Sequence, residues 1–184
     1  MIPFPDKKYQ IIYADPPWTM KMGNTRTNSD TPKGRWEGYD NIHQLPYSTM
    51  SLEEIGNLPV KQISDKNSVL FLWTINKYIK QSYEIANMWG FSPSTMIVWC
   101  KSPMGLGMGG VFVQTTEYLL MCRRGTVKRK KRIDTTWFQH KRGKHSKKPD
   151  MFRDMIVDVF GDLPRIELFA RQKTDGWDVW GNEV

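Results

Sequence analysis

Five short apolar runs dictate what this chain can fold into. They are Tyr9–Ala14, Ser68–Trp73, Thr95–Cys100, Glu117–Cys122 and Arg165–Ala170. A strand wetted on one face alternates apolar and polar residues. These runs are nearly continuous, which is the pattern of strands buried on both faces of a sheet. Helical signals fit between them. Ser51-Leu52-Glu53-Glu54 is a capping box, with Glu54 three residues after the serine. Tyr78 to Trp89 gathers Tyr78, Ile79, Tyr83, Ala86 and Trp89 near one face, and Gly90 stands where a C-cap belongs. Pro149 suits the first turn of a helix running to Phe160 and closed by Gly161. Strands alternating with helices predict an α/β fold with a mostly parallel sheet flanked by helices.

With 184 residues and 39% hydrophobic content, one domain spanning 1–184 is expected. Three stretches read as irregular, at about 19–50, 101–115 and 123–147. Loops of that length in a small domain usually serve function or are disordered. Cys100 and Cys122 lie inside apolar runs at a spacing that suits neither a metal nor a disulfide framework. Both read as buried thiols of a reducing compartment, and no metal site is expected. The opening residues MIPFPDKKYQ contain no long apolar segment, and no run approaches a membrane span. The expected location is therefore a reducing cytoplasm.

The net charge is +8, and its excess is local. From Arg123 to Lys148 there are twelve lysines and arginines against one acid, Asp134. Such density suits a polyanion. Trp137, Phe138 and His140 are set among these cations. Rings there can stack on bases while the charges follow phosphates.

Directly after the first apolar run comes Asp15-Pro16-Pro17-Trp18. Open α/β sheets bind ligands outside the carboxyl ends of their strands, and Asp15 occupies such an end. The tetrapeptide offers an ionised carboxylate and a backbone carbonyl pinned by proline, two acceptors side by side. That pair suits an amine whose lone pair is delocalised into a ring, as in adenine. Two N–H acceptors favour a tetrahedral nitrogen and stabilise the charge that develops as it attacks. The aromatic Trp18 can stack on a base.

Tyr13-Ala14-Asp15-Pro16-Pro17-Trp18 resembles the catalytic signature of the messenger-RNA adenosine methyltransferases, the m6A writers. Further blocks resemble that family in the same order: Pro46 to Ser51, Leu70 to Trp73, Ile97 to Lys101, Lys148 to Asp150, Arg165 to Arg171, and Trp177 to Asn182. The resemblance implies a Rossmann-like, S-adenosylmethionine-dependent methyltransferase with its catalytic motif ahead of the cofactor segment. It implies catalysis by Asp15, Pro16, Pro17 and Trp18, with Tyr47 in a gate loop beside the substrate and Lys101 at the rim of the site. Trp137 and His140 join these as substrate contacts through the basic segment. The cofactor side would fall on Asp15, Lys148, Phe169, Arg171, Asn182 and Glu183. Glu183 departs from the glutamine of relatives, and Lys173 and Thr174 stand where histidine and asparagine are expected.

The short chain with its own basic segment is similar to bacterial and bacteriophage members, so the expected activity is N6-adenine methylation of DNA. Such an activity would protect phage or plasmid DNA from restriction. An RNA adenosine methyltransferase is the alternative. A non-catalytic nucleic-acid-binding subunit is a third reading, and a homodimer would suit any of them. A target adenine in duplex DNA must be flipped from the stack.

Overall fold

The first apolar run forms a central strand because each side chain finds a core on its own side. In the computed structural model, which describes residues 3–19, 49–102, 111–143 and 147–184, β1 (Tyr9–Ala14) sends Ile12 and Ala14 to one face of the sheet. Ile11 and Tyr13 go to the other. Successive strand residues must point in opposite directions, so a run apolar at every position needs two cores. The first core holds Ile55 of α1 (Leu52–Gly56), Ile85 of α3 (Ile79–Met88), and Leu70 and Leu72 of β2 (Ser64–Thr74). The second is built on Phe152 and Ile156 of α4 (Met151–Phe160). A short α2 (Val60–Ile63) leads into β2.

The remaining strands are β3 (Ser92–Ser102), β4 (Thr116–Arg124), β5 (Trp137–Lys141), β6 (Arg165–Leu168) and β7 (Asp178–Trp180). The seven lie in the order β5-β3-β4-β2-β1-β6-β7. β1 runs parallel to both β2 and β6. β5 is parallel to β3, and β7 to β6. Among the described strands, β4 alone runs against its neighbours, β2 and β3. The mostly parallel α/β fold expected from the apolar runs is therefore observed, with one reversed strand.

Local signals are realised closely. The Ser51 hydroxyl accepts from the Glu54 backbone N–H at 3.2 Å, and the Glu54 carboxylate accepts from the Ser51 N–H at 2.7 Å. Gly161 closes α4 at φ 88°, a backbone angle that glycine adopts without a Cβ penalty.

Several expectations need correction. The stretch 123–147 is not uniformly irregular, because it holds the end of β4 and all of β5. β5 escaped notice because it is an edge strand with one inward ring, Phe138, among polar residues. Edge strands of that kind carry charge rather than an apolar run. The stretch 101–115 begins inside β3. The fifth run stops at Leu168 rather than Ala170, because Phe169 turns to φ 60°. The helix expected from Tyr78 begins as a 3-10 turn, Asn76–Tyr78, before α3. Cys122 is buried, and burial pushes its thiol up to about 12. Cys100 is only half-buried, and both thiols are free. Among the described residues, no helix is long and apolar enough to cross a membrane.

Candidate active site

The topology delivers chemistry to one edge. The parallel strands β1, β2, β3 and β5 all end there, and the reversed β4 begins there. Reversal is what brings Glu117, the second residue of β4, level with Trp99 near the end of β3. Helices α1 and α3 cover one face and α4 the other, so β1 and β6 flank the point where the chain changes sides. Ligands of open α/β sheets lie outside such a switch point. Asp15 leaves β1 at this crevice, and its backbone N–H donates to the Leu168 carbonyl at 3.4 Å.

Asp15 is one of four charged side chains that form a network. Lys148, just before α4, donates to Asp15 Oδ2 at 2.7 Å and lies 3.3 Å from Glu117 Oε2. Glu117 also accepts from Lys101. The side chains of Lys148, Glu117 and Asp15 are only 11%, 17% and 18% exposed. Two cations and two anions thus balance in a largely dry setting, which a lone buried charge could not survive. Their floor is aromatic. Lys148 Nζ lies 5.4 Å from the Trp73 ring centre, and Lys101 Nζ lies 5.3 Å from that of Trp99. The two indoles meet edge to face at 6.1 Å, a favourable aromatic geometry, and the ring faces add cation–π attraction.

The network sets the protonation balance. Burial pushes the Asp15 carboxyl above the usual carboxylate range, and the Lys148 charge offsets only part of this. Burial also opposes ionisation of Glu117, but Lys148 and Lys101 together hold it below the usual range. Burial disfavours the Lys148 ammonium, yet Asp15 and Glu117 outweigh it and keep its pKa above that of an ordinary lysine.

The two prolines fix the turn after Asp15. The Pro16 carbonyl accepts from the Trp18 N–H at 2.9 Å, and the Pro17 carbonyl from the Met50 N–H at 3.0 Å. A carbonyl oxygen has two lone pairs, so Pro16 retains one. Trp18 is placed differently from a base platform. Its ring is 6% exposed, stacks on Tyr78 at 5.3 Å, and donates to the Trp73 carbonyl at 3.2 Å. It anchors the motif to the core, and in this arrangement no open face is left for a base.

A second group gathers at the ends of β6 and β7. Phe169, a non-glycine residue held at φ 60°, meets Trp180 edge to face at 5.5 Å. Such a backbone costs roughly 1–3 kcal/mol and persists only when its surroundings enforce it. The Ala170 N–H donates to the Trp180 carbonyl at 3.0 Å. Gly181 makes that approach possible, since a Cβ there would lie 2.5 Å from the Ala170 carbonyl oxygen. Arg171 lies 3.6 Å from Glu183, beside the exposed Asn182.

The structure therefore brings Asp15, Lys101 and Lys148 together and sets Phe169, Arg171, Asn182 and Glu183 on the adjacent strand ends. Lys148 belongs to the Asp15 side, committed to two carboxylates. His140 is level with Lys101 on β5, its Nδ1 2.9 Å from the Lys141 carbonyl oxygen. Trp137 is not in this group: it pairs with Val98, three residues or roughly 10 Å back from Lys101 along the strand. Phe138 packs on Phe152 at 5.7 Å and is a core ring, not a base-stacking one. Tyr47 lies outside the described residues. Sequence reasoning missed Glu117, although an acid opening an otherwise apolar strand was a usable signal.

Comparison with known proteins agrees with this geometry. The chain is 36% identical to the type II methyltransferase M.MunI of a Mycoplasma species over 188 residues, covering 98% of this chain and 79% of that protein. It is 25% identical to a putative N(6)-adenosine-methyltransferase MT-A70-like protein of Medicago truncatula, covering 26% of it. It is 24% identical to the human N(6)-adenosine-methyltransferase catalytic subunit METTL3, covering 28%. The chain thus spans about a quarter of these eukaryotic relatives and most of the bacterial one. Residues 9–183 match the MT-A70 family, and the chain belongs to it.

Proposed function

We propose that this protein transfers a methyl group from S-adenosylmethionine to the exocyclic nitrogen of adenine in DNA. The observation that carries the reading is the Asp15 carboxylate, held at the switch point by Lys148 and balanced by Glu117 and Lys101. Lys148 engages Oδ2, and among the described residues Oδ1 is left to accept one N–H of the target amine. The spare lone pair of the Pro16 carbonyl accepts the other. Drawing both hydrogens out of the ring plane localises the nitrogen lone pair, and fixed acceptors cost no reorganisation as charge develops. The amine nitrogen would bond the methyl as the methyl–sulfur bond breaks with its electron pair left on sulfur, and the amine would lose one proton. Asp15, whose pKa burial raises, is well suited to receive it.

The donor set fits the implied cofactor. Its methionyl end carries a carboxylate and an ammonium, which match Arg171 and the acidic side of the network. Its ribose diol matches the amide of Asn182 and the carboxylate of Glu183. Bound there, S-adenosylmethionine would supply an electrophilic methyl on a sulfonium. A cofactor carboxylate would compete with Glu183 for Arg171, exchanging one ion pair for another.

DNA is favoured as the polymer because the relative sharing most of its length with this chain is described as a type II methyltransferase. In such a role the protein would protect phage or plasmid DNA from restriction. The eukaryotic relatives, described as N(6)-adenosine-methyltransferases, favour RNA as the second reading. The completeness of the Asp15 network argues against a purely non-catalytic subunit. Labelled methyl transfer to matched DNA and RNA, side by side, decides the polymer. Transfer to DNA is expected, and transfer confined to RNA would reject this reading.

A further inference from the structure

The basic segment does not surround the active site as one cluster. The fold divides it into two groups at opposite ends of α4 and β5. Lys141 and Arg142 stand at the catalytic edge, where β5 ends, and Lys147 and Lys148 directly precede α4. Lys128 to Arg132 lie at the other end. The backbone N–H of Lys130 donates to the Val159 carbonyl at 2.7 Å, in the last turn of α4. From Lys148 to Val159 is a three-residue turn and then eight residues of α4, the helical part alone spanning roughly 12 Å.

The distal group is mounted, not trailing. Val127 packs against the second core, and Asn67 Oδ1 accepts from the Thr126 N–H at 2.9 Å. Lys131 is 3.2 Å from Asp158, and the Lys130 stem lies against Gly161. The segment roofs a cavity of about 620 Å³ floored by Phe71, Ile97 and Phe138, with Arg123 and Arg129 at its rim. Arg123, Lys128 and Arg129 are without an acidic partner among the described residues. The flank of α4 turned to this segment presents Met155, Ile156 and Val159. Its acids, Asp150, Asp154 and Asp158, line the opposite flank. Lys131 and Arg132 are paired with Asp158 and Asp134, whereas Arg123, Lys128 and Arg129, exposed on this anchored segment, keep their charge for a polyanion.

We propose that Arg123, Lys128 and Arg129 form a second phosphate grip that holds duplex DNA about five base pairs from the target adenine. Roughly 12 Å of helix plus the three-residue turn before it, about 16 Å in all, is about five steps of DNA at roughly 3.4 Å each. This inference rests on the DNA reading above. It makes the enzyme need flanking duplex on one side, beyond whatever the catalytic edge touches. The grip supplies affinity and orientation without touching the reacting atoms, so it acts on binding and not on the chemical step.

The test uses the full chain and the combined variant Arg123→Gln, Lys128→Gln, Arg129→Gln, leaving Lys130 and Lys131 to pin α4. Binding to labelled duplexes of about 8 and about 24 base pairs is followed by anisotropy across a salt series, alongside turnover on saturating plasmid DNA. For the long duplex, affinity should fall roughly tenfold or more, and the salt slope should flatten by about two to three. Binding to the short duplex and saturating turnover should be unchanged. An unaltered salt slope on the long duplex would overturn the proposal. So would an equal loss on both lengths, which would place these cations at the target itself. Failure of the DNA reading is a separate result: the wild-type chain would then leave plasmid DNA unmethylated.

Discussion

Lys148→Met and Glu117→Gln should displace the acidic limb of the pH–rate profile in opposite directions. In the proposed reaction Asp15 must be ionised to accept the amine, so the limb should follow its pKa. The Lys148 charge, 2.7 Å away, holds that pKa down, and removing it sends the limb to higher pH. The Glu117 charge pushes the Asp15 pKa up, and removing it sends the limb to lower pH. Lys148 touches Asp15 directly, so its displacement is the larger. Stability provides a second readout. Two unit charges about 4 Å apart at an effective dielectric near 20 interact by about 4 kcal/mol. Truncating one partner of a buried pair costs about 3–5 kcal/mol, which agrees. For Lys148→Met the cost should depend on pH. The folded-state pKa of Asp15, already raised, rises further, so stability is present below the unfolded value and lost as pH climbs through the folded one. Urea unfolding should therefore show a small deficit in acid and a larger one at neutral pH. Limbs moving in the same direction, or a deficit independent of pH, would refute the reasoning.

Other perturbations follow from separate features. Arg153→Met should destabilise by about 3–5 kcal/mol in urea, because Arg153 holds Glu167 through two bonds of 2.6 and 2.7 Å with both side chains 7% exposed. Gly181→Ala should abolish measurable cofactor binding by calorimetry while costing about 1–3 kcal/mol of stability, since the new Cβ meets the Ala170 backbone that aligns the ends of β6 and β7. Asp15→Asn should cost less stability in urea at neutral pH than Lys148→Met, because the Lys148 ammonium keeps Glu117 as a partner while the burial cost of the Asp15 charge is relieved. Trp18→Phe should lose about 1–3 kcal/mol, leaving the buried Trp73 carbonyl without its indole donor.

Much of the fold was legible because burial on both faces leaves a strong mark. The runs at Tyr9, Ser68, Thr95, Glu117 and Arg165 all became strands, and α4 began after Pro149 and ended at Gly161. β5 and β7 were not legible, since an edge strand or a three-residue strand buries too little to form an apolar run. The reversal of β4 was equally invisible, because a strand buried on both faces reads alike in either direction. That reversal is what placed Glu117 in the site. Asp15 and Lys148 were readable as residues but not as partners, being separated by 133 positions and joined only by the topology. Trp18 was readable as a motif residue, yet the core claimed its ring. Arg171 and Asn182 were singled out by the family resemblance alone, and the structure sets them just beyond β6 and β7.

Nucleoside analysis of duplex DNA incubated with purified protein and S-adenosylmethionine, comparing wild type with Asp15→Asn, tests the central claim most directly. Wild type should yield N6-methyladenine. The folded variant should be slower on the order of a hundredfold or more, as when a preorganised transition-state contact is lost. Methylation by Asp15→Asn at the wild-type rate, or a methyl group found on a different atom, would contradict the assignment of Asp15.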